Sequence, residues 1–189
     1  MALGKEELNI MKITTKQLVQ TALLLALCIV SQFLKNTSVY ITGPIVNAIL
    51  IIALLVVGLW SAVVISVIAP ITSYFITGAP IIMVTRFTMW PVIMIGNILL
   101  VLGIYYGEKL ISGKKGSYIG MAVGSVIKAA FMWIMTSFVL FPIFGGALPE
   151  QAIAAAKVTF SVTQLITAII GCVLAAVIMV PLKKYLKSE

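Results

Sequence analysis

Long apolar stretches make up most of this chain, and short polar or Gly/Pro-rich segments separate them. A helix needs roughly 20 mainly apolar residues to cross the hydrocarbon core of a bilayer. The pattern therefore predicts six membrane-spanning helices, of which the second and third are short, over residues 15–35, 44–59, 61–77, 88–111, 117–141 and 158–182.

The segments between these helices differ in character. Residues 36–43 are polar, β-branched and aromatic, which predicts a loop, and Pro44 suits the first turn of the helix that follows. Residues 78–90 predict a structured, re-entrant connection, and residues 149–157 predict a short amphipathic helix. The domain organisation is thus a polar tail over residues 1–13 and a single six-helix transmembrane domain over residues 14–187.

Composition agrees with a lipid environment. Hydrophobic residues make up 62% of the chain and charged residues 10%, whereas soluble domains are roughly half apolar and a quarter charged. The predicted fold class is an all-α integral membrane protein.

The basic residues fall mainly on one side of the predicted topology. Lys and Arg collect in cytoplasmic connections of membrane proteins. Nine lysines share the side of the two termini: Lys5, Lys12, Lys16, Lys109, Lys114, Lys115, Lys183, Lys184 and Lys187. The other side carries only Lys35, Arg86 and Lys157. Both termini are therefore expected in the cytoplasm, and the longer connections, where binding sites usually lie, outside. No basic patch typical of a nucleic-acid partner is present.

Missing residue types exclude several function classes. The chain has 5 acidic residues and no His, and every acid is a glutamate in a tail or loop: Glu6, Glu7, Glu108, Glu150 and Glu189. A carboxylate relay inside the membrane, a catalytic acid pair, a Ser-His-Asp triad and a His-ligated metal are excluded. A phosphate-binding GxxxxGK[ST] loop is also absent. We therefore expect a protein that is not an enzyme and holds no metal or cofactor.

Lys128 is the most informative polar residue, because it lies near the middle of the fifth predicted helix. A lysine at the bilayer centre costs about 2.5–3.5 kcal/mol on insertion scales. Lys128 is expected to face a cavity and to meet an anionic or polar ligand. The alternatives are that its ammonium group pairs with helix carbonyls or that Lys128 lies nearer a membrane interface.

The fourth helix carries a second group of candidates. Arg86, Trp90 and Asn97 share one helical face if the helix begins early enough. That face would form a polar pocket wall, while the alternative for Arg86 and Trp90 is anchoring at the membrane interface. Asn97 lies deeper and must bond either a ligand or a neighbouring helix.

Other candidates for a binding site are spread over the remaining helices and the first loop. They are Asn47 on helix 2, Tyr74 on helix 3, Trp133 on helix 5, Gln164 and Thr167 on helix 6, and Tyr40 in the first external loop. Tyr40 could close over a ligand or lie at the membrane interface, and Trp133 could serve recognition or packing.

Two helices contain small residues one turn apart, a spacing that lets another helix approach closely. In helix 5, Gly120 and Gly124 are expected to pack inside the protein. In helix 1, Ala22 and Ala26 lie near the expected cytoplasmic end.

Together these features resemble the substrate-binding S component of an energy-coupling-factor (ECF) transporter. The likeness covers nearly the whole chain and rests on six helices with cytoplasmic termini, on Ala22 and Ala26, and on the stretches ITGPIVNAIL and PVIMIGNILL. It implies a protein of a prokaryotic plasma membrane that captures a vitamin or related micronutrient at its outer half. It further implies docking, through Ala22 and Ala26, on a coupling transmembrane subunit that carries two ABC ATPases.

The residues leave the substrate and two other functions open. Arg86 and Lys128, without acids in the membrane, favour a ligand with a carboxylate, a phosphate or a polar heterocycle. A small secondary transporter and a non-catalytic accessory membrane subunit remain the alternatives to an S component.

Overall fold

The computed structural model describes residues 13–36, 38–78, 85, 87–111 and 114–186. Almost all of the polar tail predicted over residues 1–13, most of the connection predicted over residues 78–90, and Arg86 lie outside the described residues. Within the described part of the chain, every regular element is a helix and no β-strand occurs. The predicted all-α membrane architecture is confirmed, because six helical segments are long and apolar enough to cross a membrane.

The helices of the described residues are numbered in chain order. They are α1 (Thr15–Gln32), α2 (Val39–Ile52), α3 (Leu59–Thr77), α4 (Met89–Leu110), α5 (Lys114–Ile134), α6 (Glu150–Thr159) and α7 (Val162–Leu186). Three of them continue beyond these bounds: α1 by a 3-10 turn (Phe33–Asn36), α2 by a π-helical turn (Ala53–Val57), and α5 by a π-helical segment (Met135–Leu140) and a last α-turn (Phe141–Phe144).

The second helix begins earlier than the sequence pattern predicts. Ser38 caps it, since its hydroxyl accepts a hydrogen bond from the Tyr40 amide at 3.1 Å. A capping serine satisfies one of the amides that a helix start leaves unpaired. The loop predicted over residues 36–43 is therefore wrong from Val39 onward. Tyr40 lies in the first turn of α2, and Pro44 lies inside the helix rather than in its first turn.

The other predicted boundaries agree more closely with the structure. α3 ends at Gly78, whose left-handed backbone (φ 59°) closes the helix as glycine does without steric cost. α4 starts within a residue of the prediction. The predicted short helix before the last span is present as α6, and α5 begins a few residues earlier than expected.

Contacts between helices fix their relative directions. Thr21 and Gln32 of α1 bond to Ser61 and Ala69 of α3, so these two helices run parallel. α2 and α7 are likewise parallel, while α4 and α5 are antiparallel. The C-termini of α1 and α3 therefore lie at the same end of the bundle as the N-termini of α2, α4 and α7. We call this end of the bundle the cavity end.

Glycines allow α4 and α5 to pack backbone against backbone. A Cβ atom on Gly103 would lie 2.6 Å from the Cα of Gly124, and one on Gly124 would lie 2.8 Å from the Leu100 carbonyl oxygen. Such contacts are closer than atoms tolerate, so only glycine fits there. The internal packing role predicted for Gly120 and Gly124 is confirmed, since Gly120 lies against the Ile104 backbone in the same way.

We expect Gly124→Val to separate α4 from α5 and to lower the free energy of unfolding by about 1–3 kcal/mol, the usual cost of overpacking. Ala122→Val is the matched control, because Ala122 lies on the exposed face of the same helix. Thermal unfolding of both variants in detergent measures the difference. Equal stability of the two variants would show that the helices do not need this close approach.

Candidate functional site

A cavity of about 150 Å³ lies at the cavity end of the bundle, and every helix contributes to its wall. Its polar lining consists of Gln32, Lys35, Thr42, Asn47, Ser73, Asn97, Lys128, Thr159 and Gln164. Its apolar lining consists of Val39, Gly43, Val46, Ala69, Pro70, Ile93, Met132 and Phe160. Apolar walls with a few convergent polar groups are typical of small-molecule sites.

Lys128 forms the centre of the polar lining. Its Nζ donates hydrogen bonds to Oδ1 of Asn47 at 2.6 Å and to Oδ1 of Asn97 at 2.8 Å. The three side chains are almost completely buried, with exposed fractions of 3% for Lys128, 2% for Asn47 and 4% for Asn97. An ammonium group has three donors, so these two amides leave one N–H for a further partner. Side-chain amides, and not helix carbonyls, are thus the partners found for Lys128.

Small residues on neighbouring helices position the two amides and the lysine. A Cβ atom on Gly171 of α7 would lie 2.6 Å from the Cβ of Asn47, so α7 fits against α2 only because residue 171 is glycine. A Cβ atom on Gly96 of α4 would lie 3.0 Å from Met132 and 3.7 Å from the Cγ of Lys128. The glycines therefore give the lysine side chain room to reach between α2 and α4.

The lining carries positive charge and no negative charge. Lys35 and Lys128 both line the cavity, and none of the described residues that line it is acidic. No ion pair of either lysine occurs among the described residues. A buried ammonium group without a carboxylate is costly in a low-dielectric environment, so an anion entering the cavity would gain strong electrostatic stabilisation.

Lys35 and Gln32 belong to this site although the sequence pattern did not mark them as candidates. The Lys35 Nζ donates to the Ser73 hydroxyl at 2.7 Å. Gln32 donates through Nε2 to the Ala69 carbonyl at 3.0 Å and accepts from the Thr72 hydroxyl at 3.0 Å. Two polar residues three positions apart share a helix face. That spacing in an otherwise apolar helix is the sequence feature that predicts Gln32 and Lys35 as cavity residues.

Two predicted residues lie beside the cavity and not in its lining. Tyr74 and Trp90 stack edge to face with ring centroids 5.3 Å apart, and Phe87 completes the cluster at 5.9 Å from Tyr74 and 5.1 Å from Trp90. Tyr74 and Trp90 pack against the same buried residues as Ile93 and Phe160, and the latter two line the cavity. The indole Nε1 of Trp90 is buried without a hydrogen-bond partner in the described part of the chain.

The remaining predicted residues lie in the cavity lining, at a contact between two helices, or on the exposed surface. Gln164 lines the cavity, and Thr167 is buried against Gly43 at the contact between α7 and α2. Tyr40 is exposed, and its hydroxyl lies 3.4 Å from the Thr163 hydroxyl. Trp133 is 45% exposed on the outer surface of α5 and does not reach the cavity.

The first helix carries a surface that is separate from the cavity. Ala22 and Ala26 are exposed one turn apart on α1, and large apolar side chains flank them, with Leu23 and Leu27 also exposed. Two alanines among leucines make a shallow depression along an apolar helix, the shape into which a second membrane helix packs.

The family model described as "ECF transporter, substrate-specific component" matches residues 16–183. Comparison with curated proteins and with solved structures gives no match. The matched range includes all seven helices except the first residue of α1 and the last residues of α7. This chain therefore belongs to the family of ECF transporter substrate-specific components.

Proposed function

We propose that this membrane protein captures a small, vitamin-like organic anion from outside a prokaryotic cell and presents it for ATP-driven uptake by an ECF transporter. The observation that carries the proposal is the buried Lys128, which donates to two amide oxygens and faces a cavity with no acidic residue in the described part of its lining. A carboxylate or phosphate on the substrate would supply the missing negative charge.

The shape and polarity of the cavity support binding, not conduction. The apolar residues of the lining suit a carbon skeleton, while amide and hydroxyl groups from α1, α2, α4 and α7 supply further hydrogen bonds. Two carboxylates lie within the described spans, Glu108 in the last turn of α4 and Glu150 at the start of α6, and neither lines the cavity where it could carry a coupling proton or cation. A secondary transporter driven by an ion gradient therefore has no visible coupling group here.

The orientation we propose follows from the excess of lysines on the side of the two termini. With both termini in the cytoplasm, the cavity end faces outward, where α1 ends and α2 begins. Substrate enters from that side, and the face of α1 at Ala22 and Ala26 meets the coupling transmembrane subunit. Two ABC ATPases on that subunit hydrolyse ATP, so this chain is not itself an enzyme and needs no cofactor.

Mass spectrometry of small molecules that copurify with the full chain in mild detergent tests the proposal. We expect a small organic acid to copurify with the wild-type chain and to be lost from Lys128→Met. Lys157→Met is the control, because Lys157 is exposed at the same end of the bundle and does not line the cavity. Equal recovery of the same acids from wild type and Lys128→Met would contradict the proposal, as would recovery of neutral or cationic compounds alone.

A further inference from the structure

A second ammonium group lines the cavity at a shallower level than Lys128. Lys35 ends α1 on its 3-10 turn, and its Nζ turns toward α3, where it donates to the Ser73 hydroxyl at 2.7 Å. This is the one hydrogen bond of the Lys35 ammonium group within the described residues, so two of its three N–H donors are left for a ligand. Lys35 takes no part in the hydrogen bonds that hold Lys128.

The position of Lys35 differs from that of a lysine that only anchors a helix at the membrane surface. Such a side chain extends its charged group into water or lipid headgroups. Lys35 is instead half-buried and lines the cavity. Lys157, at the same end of the bundle, is exposed as an anchoring lysine would be.

The two ammonium groups are separated in depth. Ser73, which holds Lys35, lies about one helical turn before the end of α3, while Asn97, which holds Lys128, lies about two turns after the start of α4. Both helix termini lie at the cavity end. The partner of Lys128 is therefore about one turn farther from its helix end than the partner of Lys35, so the Lys128 ammonium group is held deeper in the bundle.

We propose that Lys35 is a second ligand-binding residue, and that the substrate is a small organic dianion with two acidic groups at opposite ends. The deeper acid binds Lys128, and the shallower acid binds Lys35 beside Ser73. This inference rests on the proposed function and specifies its substrate class. A single ring or a short chain fits between the acids, because a cavity of about 150 Å³ is comparable to one that admits benzene in another protein.

The charge of the lining supports two acids over one. A ligand with a single carboxylate would pair with Lys128 and displace water from the cavity. Lys35 would then remain in the cavity wall as a cation without a negative partner. Burial of an unpaired charge is expensive. A second acid on the ligand removes that cost, and the surrounding hydroxyl and amide groups of Ser73 and Gln32 supply additional polar contacts.

Two pairs of probes test the inference on the purified full chain in detergent. Benzoate and terephthalate differ by one carboxylate on a ring, and butyrate and glutarate differ by one carboxylate at the end of a chain. We expect the wild-type chain to bind each dianion at least tenfold more tightly than the matching monoanion. Lys35→Met should remove this preference by weakening dianion binding at least tenfold more than monoanion binding, while Lys35→Arg should retain most of the preference.

Lys157→Met is the matched control for loss of one positive charge at the same end of the bundle, and it should bind all four probes as wild type does. If Lys35→Met keeps the preference for dianions, or if wild type has none, Lys35 is not a ligand-binding residue. If Lys35→Met and Lys157→Met weaken dianion binding equally, a general effect of net charge replaces the inference. If wild type binds none of the four anions, the inference fails together with the proposed function.

Discussion

Lys128→Met is expected to lower the affinity for small organic anions at least tenfold. Methionine nearly matches the length of lysine and keeps the apolar part of the side chain, but it removes the ammonium group and its three donors. A hydrogen bond to a charged group contributes about 1.5–3 kcal/mol, which corresponds to an affinity change of roughly tenfold or more at 1.4 kcal/mol per factor of ten. Titration calorimetry with terephthalate on the full chain measures this loss.

Asn97→Asp provides a second and independent test of the same site. The substitution hardly changes the shape of the side chain, yet it places a carboxylate where the Asn97 amide oxygen now accepts from Lys128 at 2.8 Å. The new carboxylate would neutralise Lys128 and repel an anionic ligand. We expect loss of terephthalate binding with no loss of thermal stability.

The two variants together separate ligand binding from a structural role. If Lys128 serves only to join α2 and α4, Lys128→Met should reduce stability, and Asn97→Asp should leave binding intact because the link is strengthened. Unchanged affinity in both variants would contradict the ligand-binding role. The Lys157→Met variant again controls for the general loss of a positive charge.

The fold was largely predictable from the sequence, because the bilayer permits few structures. Backbone polar groups in hydrocarbon must be satisfied within the segment, so long apolar stretches form helices. The first loop was the main error. A run of β-branched and polar residues suggested a loop, but the capping hydroxyl of Ser38 and the packing of Thr42 and Asn47 in the core continue α2 back to Val39.

The sequence predicts those residues of the candidate site that are polar and lie within an apolar helix. Lys128, Asn47 and Asn97 stand out because each is polar within an apolar helix, and the structure brings them within hydrogen-bond distance. The sequence pattern does not identify Lys35 as a cavity residue, because a lysine at a helix end is usually an interfacial anchor. Only the position of α3 turns its side chain toward the cavity. Trp133 lies on the same helix as Lys128, but its side chain is exposed and outside the described lining of the cavity.

The cavity and the α1 surface are arranged so that they can act separately. Gln32 and Lys35, which line the cavity, lie at the C-terminal end of α1. Ala22 and Ala26 lie about two to four turns closer to the N-terminus and are exposed. A change at the exposed alanines therefore need not disturb the lining residues, and this separation allows binding and transport to be tested independently.

Replacing Ala22 and Ala26 together with leucine is expected to reduce ATP-dependent uptake at least tenfold while the affinity for terephthalate stays at the wild-type value. Both alanines are exposed in the isolated chain, so the larger side chains meet lipid and cost little stability. A partner helix that packs closely on small residues would be pushed away by them. Recovery of the coupling subunit and ATPases with the tagged chain, and uptake of the copurifying acid into proteoliposomes, measure the two effects.

The matched control replaces Ala122 and Ala130 with leucine, since both are exposed on α5 and the change in volume is the same. This control should retain both uptake and recovery of the coupling subunit. If the α1 variant transports as well as the α5 variant, the coupling subunit does not dock at Ala22 and Ala26. If the α1 variant loses terephthalate binding as well, the substitution disturbs the cavity through α1. Only loss of uptake with intact binding supports a docking surface separate from the substrate site.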